Sequence, residues 1–170
     1  ALKKNNIPID FIAGSSIGAL IGGLYAVTKD INRIEKLVLG ANWKKLFYFL
    51  GEPSFTFSGL IKGERIENFI REQFKVKNFD DLKIPFAAIA TDIKTGKEVD
   101  FKKGNLLKAI RASISLPLIF TPLNWQGRVL VDGGVSAPVP TITARKMGAD
   151  IVIGVNVLQN YAPKSKDSNK

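Results

Sequence analysis

Ser16 stands at the centre of Gly14-Ser15-Ser16-Ile17-Gly18, a G-x-S-x-G pattern set between an apolar stretch, Ile9 to Ala13, and a helical run from about Ile17 onward. A serine at such a turn is displayed at a helix N-terminus, where its hydroxyl can attack a carbonyl and the Ile17 amide can donate to the developing oxyanion. Gly14 and Gly18 are expected to relieve the crowding that so sharp a turn creates. The same residues also suit a plain Gly/Ser turn in which Ser15 or Ser16 caps a helix. A phosphate-binding loop fits less well, because Ala19-Leu20 stands where the Lys-Ser/Thr ending would be needed.

The 170 residues contain no histidine and no cysteine. A Ser-His-Asp triad, thiol chemistry, disulfides and thiolate metal sites are therefore excluded, and the base for Ser16 must be Asp, Glu or Lys. Asp132 is the leading candidate: it follows the apolar strand ending at Val131 and precedes Gly133-Gly134, which let the chain turn away and leave the carboxylate facing an open sheet edge. A carboxylate ordinarily titrates near ~4 and is a poor base, but partial desolvation raises its pKa and a hydrogen bond orients it. The plainer role is a turn carboxylate capping its own loop. Asp92, at a strand exit before the turn Lys94 to Lys97, suits a structural role, and no lysine stands in an S-x-x-K relation to Ser16.

Around these residues the hydrophobic pattern alternates between strands and helices. Asp30 is placed to cap a helix reaching Leu39; Glu64 to Phe74, Leu106 to Ile114 and Thr141 to Met147 read as further helices. Pro85 to Thr91, Glu98 to Phe101, Arg128 to Val131 and Ile151 to Val157 read as strands, the first two joined as a hairpin. The predicted architecture is three-layer α/β/α with a mainly parallel central sheet, one domain over residues 1–160 and a polar, disordered tail over residues 161–170. Between Asn42 and Leu60 a short helix and an irregular loop carry Trp43, Phe47, Tyr48, Phe49, Phe55 and Phe57, read as core residues first and as a lid second.

Hydrophobic residues at 45% and charged residues at 24% are ordinary for a globular domain and exclude a disordered or fibrous chain. The net charge of +10, spread over both halves, favours anionic partners, with a membrane surface or nucleic acid as the two classes. The basic pairs Lys3-Lys4, Lys44-Lys45 and Lys102-Lys103 are short and scattered, so no specific nucleic-acid partner is expected. Phe11 to Val27 lacks charge and repeats Gly14, Gly18 and Gly22 at a small-xxx-small spacing. It falls short of the roughly 20 residues a membrane span needs and splits more naturally into strand, turn and helix.

At its motifs the sequence resembles the patatin-like phospholipase family. The resemblance rests on Ile9 to Leu20, Ala90-Thr-Asp-Ile-Lys-Thr-Gly96, Ala112-Ser-Ile-Ser-Leu-Pro117, and Val131-Asp-Gly-Gly-Val135 running on to Pro138 and Pro140. It implies a patatin-like fold and a lipid acyl hydrolase with Ser16 as nucleophile, Asp132 as general base and an acyl-enzyme intermediate, using no cofactor and no metal. Elbow and oxyanion roles fall to Gly14, Ile17 and Gly18, and Gly133 and Gly134 support the turn of the base. The partner it implies is a lipid or phospholipid ester; peripheral contact with an anionic membrane is the expectation from the charge, and a cytoplasmic location the expectation from the absence of cysteine. The family's glycine-rich oxyanion loop has no counterpart in residues 1–8. The expectation is a domain without its first strand and that loop, or alternatively a catalytically weak lipid- or anion-binding α/β module.

Overall fold

The computed structural model describes residues 2–40 and 64–157. Five helices are found among them: α1 (Ile17–Thr28), α2 (Ile31–Gly40), α3 (Glu64–Phe74), α4 (Leu106–Ser113) and α5 (Thr141–Lys146). Five strands form one sheet: β1 (Ile12–Ser15), β2 (Phe86–Asp92), β3 (Lys97–Phe101), β4 (Leu123–Trp125) and β5 (Arg128–Asp132). Local chemistry sets the helix limits. Asp30 Oδ1 accepts from the amides of Asn32 and Arg33 at 3.0 and 3.2 Å and starts α2, and Asn105 Oδ1 accepts from Lys108 N at 2.9 Å and starts α4. In α3 the acidic residues Glu64 and Glu67 occupy the first turn and Arg71 the last, each at the end of the helix dipole that favours it.

β2 is the axis of the sheet and is buried along its whole length. One of its edges pairs antiparallel with β3, from Ala88↔Phe101 to Asp92↔Lys97. The other edge is shared: β1 runs parallel to the first half, from Ile12↔Phe86 to Ser15↔Ile89, and β5 runs antiparallel along the second, from Ala90↔Asp132 to Asp92↔Leu130. β1 and β5 therefore meet end to end beside Ile89 and Ala90. β4 extends the sheet beyond β5 as a hairpin turned at Gln126-Gly127, both at positive φ.

Side chains alternate across β2 because successive residues of a strand face opposite ways. Phe86, Ala88 and Ala90 join the main core with Leu20 and Leu24 of α1, Ile66, Ile70 and Phe74 of α3, and Leu106 and Ile110 of α4. Ala87 and Ile89 face a smaller cluster with Ala13, Ala137 and Met147. On that second side α5 is tied to β3 through Thr143, whose hydroxyl lies 2.7 Å from Glu98 Oε1 and 3.2 Å from Asp100 Oδ2.

The α/β layering expected from the sequence is present, but the sheet is mixed: β1 with β2 is the single parallel pair among the described strands. Tight turns account for two of the three antiparallel pairs, since Lys94 to Gly96 and Gln126-Gly127 are long enough only to reverse the chain. Residues 151–157, expected to form a strand, do not adopt one, and Ile151, Ile153, Val155 and Val157 are exposed. The first strand begins at Ile12 and not at Ile9. The aromatic stretch Asn42 to Leu60 and the polar tail lie outside the described residues. Among those described, no helix is long and apolar enough to cross a membrane.

Gly23 shows how tightly α1 is seated. A Cβ there would stand 3.1 Å from Ile110 Cδ1 and Phe74 Cε1 and 3.3 Å from Phe86 Cε1, all in the main core. Alanine in a helix interior normally gains about 1 kcal/mol over glycine, whereas overpacking a filled core costs about 1–3 kcal/mol. Three large side chains would have to yield together, so overpacking wins. Gly23→Ala is expected to lower the denaturation midpoint in urea, and an unchanged or higher midpoint would show that the α1 interface is looser than this.

Candidate active site

The meeting of β1 and β5 places Ser16 and Asp132 side by side. β1 ends at Ser15 beside Ile89, and β5 ends at Asp132 opposite Ala90, so the two chains approach along one edge of β2 from opposite directions. The sequence reading put both residues at a common open edge of a parallel sheet. They lie instead at a junction inside the sheet, because β5 is antiparallel to the strand that carries the serine.

Ser16 turns the chain from β1 into α1 with φ 54° and ψ −126°, a conformation that only glycine adopts cheaply and that costs a serine about 1–3 kcal/mol. Three features hold it. A Cβ on Gly14 would sit 2.3 Å from the Gly18 carbonyl oxygen, so only glycine permits the strand and the helix start to approach this closely. The Ser16 carbonyl accepts from Ala19 and Leu20 at 2.9 and 3.2 Å, and its amide donates to Ser113 Oγ at 3.0 Å. Gly18 does not play the expected part: a Cβ there would meet nothing within 4 Å, and what crowds Gly14 is the Gly18 carbonyl, present in any residue. The amides of Ile17 and Gly18 donate to no group among the described residues, which leaves two N–H groups free at the positive end of α1.

Asp132 is buried, at 2% exposure. Its Oδ1 accepts from Gly134 N at 2.7 Å, and its backbone is fixed on both sides, the amide by Ser115 O at 2.9 Å and the carbonyl by Thr91 Oγ1 at 2.9 Å. The Thr91 hydroxyl is thus spent as a donor, and the Ser136 hydroxyl, 2.8 Å away, donates to it. Oδ2 is buried and has no described partner at full hydrogen-bond geometry. Burial pushes the Asp132 carboxyl above the usual carboxylate range, while hydrogen bonding from the Ser16 side chain and then from the Gly134 amide pulls it back. The Ser16 hydroxyl is thus close enough to the carboxyl to lower its pKa, although no closed hydrogen bond reaches Oδ2.

The glycines after Asp132 are required by close approach. A Cβ on Gly133 would meet the Ile89 carbonyl oxygen at 2.1 Å and one on Gly134 would meet Asp132 Oδ1 at 2.9 Å. The neighbouring Ser15 hydroxyl donates to the Ala137 carbonyl and so ties the serine strand to the aspartate loop. Asp92 has the structural role expected of it, its Oδ1 accepting from Lys94 N at 3.0 Å.

Sequence reasoning passed over the groups that hold this pair in place. Thr91, Ser113 and Ser115 enter that reasoning only as letters of motifs, Ser15 only as a possible cap, and Ser136 not at all. The signal was available in Ser113-Ile114-Ser115, two serines set among apolar residues where an amphipathic helix ends, because polar side chains in such a setting are buried and must find partners.

With this geometry in view, the comparisons with known proteins are specific. The profile of the patatin-like phospholipase family matches residues 1–145, and the chain belongs to that family. It is 34% identical to an uncharacterized NTE family protein of Mycobacterium tuberculosis over 99% of its own length and 46% of that protein's. Patatin-like phospholipase domain-containing proteins of Caenorhabditis elegans and Homo sapiens are 34% and 31% identical, each over 92% of this chain and 12% of the relative. The chain thus spans about half the length of the mycobacterial relative and a much smaller part of the animal ones.

A raised pKa in Asp132 means that the folded protein binds that proton more tightly than the unfolded chain does. Stability is therefore lost as pH rises from the ordinary carboxylate value through the raised one, and the loss is complete above it. Asp132→Asn is expected to melt at a higher temperature than the parent at pH 7, with the gap closing as pH falls below the ordinary carboxylate range. Thermal melts of both proteins across pH check this, and a constant gap would mean that the carboxyl carries no burial cost.

Proposed function

We propose that this chain is the catalytic domain of a serine lipid acyl hydrolase that cleaves carboxylic esters through Ser16 and Asp132. The observation that carries the reading is the end-to-end junction of β1 and β5, which sets a strained serine against a buried carboxylate whose Oδ2 is uncommitted. Family membership supports the lipid ester as substrate class.

In this reading Ser16 Oγ attacks the ester carbonyl and passes its proton to Asp132 Oδ2. The Ile17 and Gly18 amides receive the oxyanion at the start of α1. Collapse of the tetrahedral intermediate expels the alcohol, which takes the proton from Asp132 and leaves an acyl group on Ser16. Water then gives a proton to Asp132 and attacks the acyl-enzyme, and the fatty acid departs as Ser16 recovers the proton. The raised pKa of Asp132 suits this double duty, since a more basic carboxylate accepts a hydroxyl proton more readily. The positive charge of the chain favours docking on anionic membrane, where such substrates reside.

The experiment is release of nitrophenol from a short-chain p-nitrophenyl ester together with labelling by a fluorophosphonate probe. Ser16→Ala is expected to abolish both, and Asp132→Asn to slow both by about 10²–10⁴-fold, the range for a lost general base. Absence of labelling and of hydrolysis toward nitrophenyl and lipid esters alike would overturn the reading in favour of a lipid- or anion-binding module. Binding to liposomes is expected to strengthen as their anionic lipid content rises and to weaken with added salt; a flat response would remove the role assigned to charge.

A further inference from the structure

We propose that Ser113 is the positioning residue of the nucleophile: its buried hydroxyl, at the last position of α4, accepts the Ser16 amide and holds the serine in the turn that presents its Oγ to Asp132. The proposal rests on the hydrolase reading above and adds to it a residue from an element that supplies neither member of the pair. Ser113 is fully buried, and its Oγ lies 3.0 Å from Ser16 N across 97 residues of sequence.

The need for such a partner follows from the elbow itself. Ser16 is the N-cap of α1, where an amide has no acceptor within the helix, and it lies one residue past the last pair of β1, so neither element satisfies its N–H. An amide at the edge of the interior that loses its acceptor is costly, and the backbone would relax toward ordinary angles to find one. Ser113 supplies that acceptor from the main-core side of the sheet, on a helix packed against β2 and β5.

The same short segment also reaches the base. Two residues on, the Ser115 carbonyl accepts the Asp132 amide at 2.9 Å, so residues 113–115 grip the backbones of both Ser16 and Asp132. The segment is itself anchored. Arg111, 3% exposed, donates to Ser115 Oγ and to the Thr121 carbonyl at 3.2 Å, lies 3.7 Å from Glu67 Oε1 of α3, and stacks over Phe120. The Ser115 hydroxyl in turn donates to the Arg111 carbonyl at 2.8 Å. The anchored segment that ends α4 and runs on to Ser115 thus sets the separation between nucleophile and base, where a misplacement of about 1 Å can cost about 100-fold in rate.

Four proteins test this: the parent, Ser113→Ala, Ser113→Thr, which keeps the hydroxyl, and Ser113→Val, which has the shape of threonine without it. Two readouts are taken, the fluorophosphonate labelling rate with ester kcat and KM, and hydrogen exchange of the Ser16 amide by NMR. Ala is expected to lose about 10–100-fold in labelling rate and kcat relative to the parent, and Val the same relative to Thr, with KM little changed. The acid limb of the pH–rate profile stays in place, because the surroundings of Asp132 are untouched. The Ser16 amide exchanges slowly in the parent and Thr and faster in Ala and Val. Equal labelling in Thr and Val, or equal exchange in all four, overturns the proposal. If the parent itself shows no labelling, the hydrolase reading fails and the nucleophile role falls with it, while the exchange data alone decide whether Ser113 holds the turn.

Discussion

Everything at this site depends on one strand edge being divided between two strands that run toward each other. β2 offers its edge to β1 as far as Ile89 and to β5 from Ala90 onward, and neither can be lengthened without displacing the other. Both chains must therefore leave the sheet abruptly at adjacent levels. Abrupt exits need special residues: Gly14 so that the helix start can come close, Ser16 at positive φ, and Gly133 because any side chain would strike the Ile89 carbonyl. The glycine-rich motifs and the proximity of serine and aspartate are two results of one packing constraint.

How much of this can be read from the sequence follows from the range of the forces involved. Helices were legible because their signals are local. Asp30, Asn105 and the apolar spacing of α3 act within a few residues, and each helix lies close to where periodicity and capping place it. Ser16 and Asp132 were legible for a similar reason, since each sits in a short motif whose glycines advertise a sharp turn. Strand direction was not. Alternating strands and helices suggest a parallel sheet, but parallel pairing requires a long crossover before every strand, and two of these connections are tight turns. The strand expected over residues 151–157 fails on a related point, because apolar composition measures suitability for a sheet and not the presence of a neighbour. The serine and threonine tethers were hidden because their partners lie far away in sequence.

The balance between stability and chemistry is visible in the placement of polar groups. Thr91, Ser113 and Ser115 are buried, and each has a hydrogen-bond partner, as a packed interior demands. Asp132 Oδ2 breaks that rule beside the serine, in a carboxyl that burial renders harder to ionise. Strain in Ser16 adds to the same local cost. Both costs are set against a filled interior, in which Phe74, Ile89, Ile110 and Leu130 have 0% exposure.

The tethers have a bearing on the order in which the molecule takes shape. The hairpins β2–β3 and β4–β5 join residues close in sequence, whereas Ser15 reaches Ala137 over 122 positions and Ser16 reaches Ser113 over 97. Closing loops of that size carries an entropic penalty that local contacts do not, so these links form late along the folding path and are reached only after the hairpins exist. The elbow then has no independent existence: hairpins alone do not supply the Ala137 and Ser113 partners that hold Ser15 and Ser16. The turn at Ser16 is in this sense a property of the finished topology, and its presence reports on the completion of folding more stringently than secondary-structure content does.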